Sequence, residues 1–273
     1  MADYRVLDIE TVPDHEVWTP PPPKFDLVPR GEFLTNAEGL MPAVPGLLPS
    51  DPFPPPQACR IVAISWVDLV SGDSDYYQFD GCHSYALWGP AARGEADREA
   101  QLIRLFTEAE EGDVAQLVTW NGRSFDLPVI NFRALKHKIS MGWYYKEDGM
   151  RYRFSDGGHC DLMDYLGDYG AARNMKLHDV CRLIGLPGKT GEVKGGDVAE
   201  IVAAGANDVA MEKVRRYCLS DSLQTALLFV RTRFHKGMIS AAECNAAIES
   251  FEEAPEVATS LSDVDWGRLK VLP

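Results

Sequence analysis

The sequence predicts an α/β fold on three observations. Patterns of helical and strand period alternate through most of its 273 residues. An apolar run rich in β-branched residues opens the chain at Tyr4–Thr11. The amphipathic stretch Glu95–Glu110 leads into a short apolar segment, Ala115–Trp120, as a crossover helix leads into a parallel strand. With 45% hydrophobic residues the chain can bury one substantial core. We read one domain over residues 1–250, with a proline-rich insertion at 13–58 and an acidic tail at 251–273.

The first strand carries two carboxylates. Side chains alternate along a strand, so Asp8 and Glu10 share a face, about 7 Å apart along the chain. Like charges on one face of a core strand repel and are costly to desolvate. Either this is an edge strand with a solvated acidic face, or a cation sits between the two groups. Pro13 to Pro56 then holds thirteen of the 18 prolines. A segment so rich in proline cannot pair into a sheet or continue a helix, so it reads as a long loop. It leaves next to Glu10, and it is either a cover over the acidic site or a passive excursion.

Arg60–Val67 is the next strand, and Ser71–Ser74 turns the chain into a hairpin partner at Asp75–Phe79. After the parallel strand Ala115–Trp120 comes Asn121-Gly122-Arg123-Ser124-Phe125-Asp126-Leu127-Pro128. Asn-Gly marks a tight turn and Pro128 suits a first helical turn. Asp126 is therefore expected at a helix start, at the sheet edge where ligands of α/β proteins gather, or as a plain N-cap. Met141–Phe154 interleaves aromatics with cations, which suits stacking on unpaired bases; the alternative is a surface hairpin packing its rings on the core. His159–Asp164 reads as the entry to a short helix, and Met175–Leu186 as a helix closed by Gly185 and Pro187. Gly188-Lys189-Thr190 has the ending of a phosphate loop, but Leu183 stands where that loop needs glycine and a helix precedes it, so no triphosphate site is expected. Lys189 and Lys194 are either contacts to a phosphate backbone or ordinary solvated lysines.

Val209–Phe234 is a long helix whose apolar stripe contains one anomaly, Asp221, with Tyr217 four residues earlier on the same face. A buried carboxylate needs a partner, and this face offers a phenol. Metal coordination or a salt bridge to an arginine would resolve it. Ser240–Glu243 opens a last helix with a capping box, and the acidic stretch from Glu249 onward is poorly patterned and reads as a tail, laid on the surface or disordered.

The net charge of −14 argues against coating of nucleic acid by a basic surface, but not against a local grip on it. Six cysteines without a CxxC pair read as reduced thiols of a cytoplasmic protein, and no HExxH or close ligand pair supports zinc. Neither a signal peptide nor an apolar run of membrane-spanning length is expected.

Four carboxylates thus stand on elements able to converge on one sheet edge: Asp8, Glu10, Asp126 and Asp221. Oxygen ligands of this kind suit Mg²⁺ or Mn²⁺, and two such ions can clamp the attacking and leaving oxygens of a phosphodiester displacement. Leu7-Asp8-Ile9-Glu10-Thr11, Asn121–Asp126 and Tyr217-Cys218-Leu219-Ser220-Asp221 resemble the three motifs of the DEDD exonuclease superfamily, tyrosine branch. His178–Leu183 followed by Gly185–Lys189 is similar to stand-alone relatives of the proofreading domain of family-B DNA polymerases, and the resemblance spans residues 4 to about 235. It implies an RNase H-like fold, a mixed sheet flanked by helices, and release of nucleoside monophosphates from a 3′ end. By that analogy Asp8 would bridge two ions, Glu10 and Asp221 would hold the one that activates water, and Asp126 would hold the other, directly or through water. Tyr217 would orient the water, while Thr11, Asn121, Phe125 and Lys189 would contact the strand. Single-stranded DNA is the favoured partner. An exoribonuclease of the same architecture and a non-catalytic protein keeping the fold are the alternatives. A polymerase or repair factor as protein partner is left open.

Overall fold

The computed structural model describes residues 3–19, 53–71, 77–86, 95–112, 115–147, 149–154, 157–172, 175–189, 195–204 and 207–271, together with four two-residue strands within 24–50. Its centre is a five-stranded mixed sheet. In chain order the strands are β1 (Tyr4–Pro13), β2 (Cys59–Ser71), β3 (Tyr77–Tyr85), β4 (Gln116–Thr119) and β5 (His159–Asp161). Their spatial order is β3-β2-β1-β4-β5. β1, β2 and β3 pair antiparallel, whereas β4 runs parallel to β1 and β5 parallel to β4. The 18-residue helix α1 (Glu95–Gly112) makes the crossover that parallel pairing requires.

Alternation along β1 divides the molecule into two sides. Leu7 and Ile9 enter the core packed by α1, α2 (Asp126–His137) and α3 (Gly142–Lys146), with Trp143 and Met150 buried there. Val6 and Val12 face the other side, but they belong to two different apolar clusters. Asp8 and Glu10 lie between them in sequence and on the same face. The apolar packing on that side is therefore split, and the carboxylates occupy the gap.

Two short helices, α4 (Leu162–Leu166) and α5 (Leu177–Ile184), precede α6 (Gly195–Ala203). The long helix α7 (Asp208–His235) covers the split face. Its Val214, Tyr217 and Cys218 join one cluster, and Leu219, Leu223 and Ala226 the other. Small polar side chains let α7 approach the sheet closely: Ser65 and Ser222 share a hydrogen bond of 2.6 Å, and the Cys218 thiol reaches the Asp8 carbonyl at 3.5 Å. The capping box expected at Ser240 and Glu243 opens α8 (Ala241–Glu252).

Two sequence expectations need correction. The acidic C-terminal stretch is not a loose tail: α9 (Pro255–Ser260) and α10 (Trp266–Leu269) fold against α7 and α8, burying Phe251, Val257, Leu261 and Leu269. These four apolar residues are too widely spaced to register as a period. The insertion is not devoid of pairing, because Lys24–Phe25 pairs with Pro49–Ser50 and Thr35–Asn36 with Gly39–Leu40. Two-residue ladders have open edges, where a missing proline N–H is tolerated. The short helix expected at His159–Asp164 begins at Leu162 with Asp161 as its cap, and His159–Asp161 ahead of it form an edge strand. The hairpin turn expected at Ser71–Ser74 lies largely outside the described residues, as do Thr190 and Lys194. No described helix is long and apolar enough to cross a membrane.

His159 ties β5 to β4 through a 2.8 Å hydrogen bond with Thr119 Oγ1. Burial, then the charge of Arg123, pushes its pKa down to about 3. Between that value and its ordinary one near 6.5 the unfolded chain holds a proton that the folded chain lacks, so stability rises with pH across this window. His159→Gln keeps a hydrogen-bonding side chain and does not titrate. Its unfolding free energy is expected to depend less steeply on pH between 5 and 6, by about 1.4 kcal/mol per pH unit, in guanidinium titrations.

Candidate active site

The site forms where β1, the turn after β4, and α7 meet. Oxygens of Asp8, Glu10 and Asp221 all lie within 4.8 Å of one another. The two strand residues are partly exposed, and Asp221 is 5% exposed. A bulge between Glu10 and Thr11 shifts the register against β2 just beyond the pair, as bulges do where a side chain is re-aimed beside a site.

Asp126 stands outside this tight set but beside it. It is the first residue of α2, preceded by Phe125 in the N-cap position, so it is not the side-chain cap that its type favours. Its carboxylate instead accepts the Ile9 N–H of β1. The turn that carries it is held from below by Asp161, which accepts the N–H groups of Asn121 and Arg123, each at 2.9 Å, and also caps α4. Asn121 takes a positive φ of 62°. Gly122 donates to Thr119 Oγ1 at 3.1 Å, and a Cβ there would lie 2.4 Å from that oxygen. The glycine is thus required by close approach.

So many acids in one buried gap cannot ionise freely. Burial, then Asp221, Glu10 and Asp126, pushes the Asp8 carboxyl well above the usual carboxylate range. Burial and Asp221 do the same to Glu10. Burial, then Asp161, raises Asp126 to about 7 against the pull of its backbone hydrogen bonds. Asp221 is raised by burial and partly relieved by Lys189 and Tyr217.

Lys189 supplies the cation. Its ammonium lies 3.2 Å from Asp221 Oδ2, donates to the Tyr217 hydroxyl and sits 4.8 Å from the centre of that ring. The partner that the sequence left open for Asp221 is therefore this lysine, not an arginine. The Lys189 N–H donates to His178 Nδ1 at 2.9 Å, and Gln224 holds the Gly188 carbonyl at 3.2 Å. The sequence did not single out Asp161 or Gln224 for this work, nor His178 as an anchor, because each acts on backbone across the fold. Tyr217 is 8% exposed and donates to Asp221. Burial and the acids around it hold its phenol above its ordinary pKa.

Other expected contacts fall at the rim. Thr11 follows the bulge and bonds to Cys59. Phe125 packs its ring, tilted by 57°, against Phe53 from the return end of the insertion, with centroids 5.5 Å apart. The aromatic–basic segment divides: Trp143 is core, whereas Tyr145, Tyr152 and Phe154 are more than half exposed.

Asp8 Oδ2 is buried without a hydrogen-bond partner among the described residues. An orphaned carboxylate oxygen beside two more carboxylates fits a hard divalent cation, and the absence of nitrogen or sulfur donors in the set disfavours zinc.

A mixed sheet of this order, flanked by helices, is the RNase H-like fold. A family B DNA polymerase from the hyperthermophilic archaeon Pyrobaculum calidifontis has a similar fold, with a TM-score of 0.50 and 15% identity over 96% of this chain. The chain spans 27% of that polymerase's length. No curated protein sequence matches. Residues 51–262 match the family of predicted 3′–5′ exonucleases related to the exonuclease domain of PolB, and the chain belongs to that family. The matched span includes Asp126, Lys189, Tyr217 and Asp221; β1 adds Asp8 and Glu10.

Gly122→Ala is expected to lower stability by roughly 1–3 kcal/mol, because Thr119 or the turn must move. Gly196 in α6 has open space around it and alanine favours the helix, so Gly196→Ala should melt no lower than the parent and up to a few degrees higher. Thermal melts of the pair check this. Equal melting points would show that the turn is not tightly fitted.

Proposed function

We propose that this chain is a tyrosine-branch DEDD exonuclease that removes nucleoside 5′-monophosphates from the 3′ end of single-stranded DNA by a two-metal-ion mechanism. The observation that carries this reading is the convergence of Asp8, Glu10 and Asp221 oxygens within 4.8 Å, with Asp126 beside them. Asp8, Glu10 and Asp221 would hold one ion, and Asp8 with Asp126 the other. When bound, Mg²⁺ or Mn²⁺ would lower the pKa of the attacking water and offset the charge that develops on the phosphate oxygens.

The chain's own residues do the rest. Tyr217 orients the attacking water by hydrogen bonding, since a phenol held above its ordinary pKa stays protonated at neutral pH. Lys189 braces Tyr217 and Asp221 and offers a fixed positive charge to a phosphate oxygen. Thr11, Asn121 and Phe125 line the approach of the terminal nucleotide. Water oxygen joins phosphorus, the bond to the 3′ oxygen breaks, and the shortened strand leaves with a 3′ hydroxyl. Six unpaired thiols fit a reducing, cytoplasmic setting.

A 3′-labelled oligonucleotide tests the reading. Mononucleotide release should require Mg²⁺ or Mn²⁺, stop in chelator, and fall by roughly 10³-fold or more in Asp8→Ala. Full activity in that variant would refute the assignment. Matched DNA and RNA oligonucleotides decide the sugar: faster RNA degradation would replace the DNA reading with an exoribonuclease. Tyr217→Phe should lower kcat about 10- to 100-fold without removing a limb of the pH–rate profile between pH 6 and 9, as expected of a hydrogen-bond donor and not of a general base.

A further inference from the structure

Beside the acidic cluster lies a cleft of about 480 Å³, within the range that takes a nucleotide-sized group. Lys189 lines this cleft and also pairs with Asp221 of the acidic cluster at 3.2 Å, so one side chain links the two. Its other cations are Arg182, near the end of α5, and Arg268, on α10. Both arginines are exposed, and neither forms an ion pair among the described residues. Two carboxylates share the wall, Asp263 and Asp265. Asp265 is committed to capping α10, where it accepts the Arg268 N–H at 3.2 Å.

The C-terminal segment is fastened in place. Leu269 is buried, and its carbonyl accepts a hydrogen bond from Arg231. The Asn245 amide bonds both polar groups of the Val271 backbone, at 2.7 and 3.0 Å. Lys270 pairs with Glu249 and Glu252 at 3.2 and 3.1 Å. Gly185, at φ 98°, ends α5 and lets the Arg268 side chain cross closely, since a Cβ there would lie 3.1 Å from Arg268 Cγ. Arg268 is thus presented by a docked element. It also lies beyond residues 51–262, the span that matches the family.

We propose that this cleft is a phosphodiester subsite, in which Arg268 and Arg182 hold a backbone phosphate of the strand next to the scissile one. The C-terminal segment thereby completes the substrate channel. The inference rests on the exonuclease reading above, and it assigns the substrate's second anchoring point. Two guanidiniums lining the same cleft as Lys189 suit a phosphate, because a planar fork can donate two hydrogen bonds and never loses its charge.

The test compares a decanucleotide with thymidine 5′-(p-nitrophenyl phosphate), which carries a single phosphate. Arg268→Ala and, separately, Arg182→Ala should each raise KM for the decanucleotide about tenfold with little change in kcat. Each should also flatten the log–log salt dependence by about 0.7, the share of one phosphate contact on a single strand. KM for the ester should stay within twofold, and Arg268→Lys should restore the salt slope. Unchanged decanucleotide KM, or an equal rise on both substrates, would overturn the subsite while leaving the exonuclease intact. Wild-type protein that cleaves neither substrate would refute the exonuclease reading instead. The cleft is then judged by anisotropy of a labelled decanucleotide on metal-free protein, where about tenfold weaker binding to Arg268→Ala supports it and equal binding does not.

Discussion

Like charges held together in a nearly dry gap are the constraint on which this structure turns. Two carboxylates 4 Å apart repel by about 4 kcal/mol at an effective dielectric constant of 20, and here Asp8, Glu10 and Asp221 crowd together with Asp126 alongside. The fold prevents them from spreading. β1 is the middle strand of five. The paired serines, Ser65 and Ser222, pin α7 against the sheet. Asp161 pins the turn that leads to Asp126. Rigid backbone on all three sides keeps the repulsion in place, and Lys189 relieves only part of it.

Buried charge elsewhere in the molecule is treated differently. Arg133 is 1% exposed and donates twice to Glu99, at 2.6 and 2.7 Å, and once to Asp14 at 2.6 Å. Glu99 also accepts the Ile61 N–H at 2.8 Å, so this network ties α1, α2, β2 and the exit of β1 together. Arg5 is paired with Asp68 and Glu110 at 2.7 and 2.9 Å. In both networks each buried carboxylate touches a guanidinium directly, which holds buried charge at tolerable cost. In the acidic cluster only Asp221 has a direct ion pair among the described residues, and that separates the site from these structural networks.

Much of this was legible in the sequence, wherever the signal is local. Period-two alternation put Asp8 and Glu10 on one face, and helical spacing put Tyr217 and Asp221 on another; both placements hold in the structure. Asn121-Gly122 gave the turn, and Ser240 with Glu243 gave the cap. What escaped depends on partners far apart in sequence. Nothing local marks Arg133 on α2 as buried, because its partners Glu99 and Asp14 lie 34 and 119 residues away. Lys189 is marked in the sequence as a phosphate contact, but its pairing with Asp221 and Tyr217 shows only once α7 is in place. The C-terminal helices are short, and their buried residues make no recognisable stripe.

The C-terminal segment also bears on how a chain of net charge −14 can hold a polyanion. Repulsion from distant carboxylates is screened beyond about 8–10 Å at physiological salt, whereas contacts within a cleft are not. What matters for grip is therefore local balance, and in the cleft three cations face two carboxylates, one of which is bound to backbone. The same locality explains why the acidic total and a phosphate-binding site can coexist. Net charge governs encounter at long range, and the side chains against the strand govern what stays bound. A helix of four residues with one arginine can thus contribute more to recognition than the bulk composition of the surface around it, provided that it is docked as firmly as α10 is by Leu269, Asn245 and Arg231.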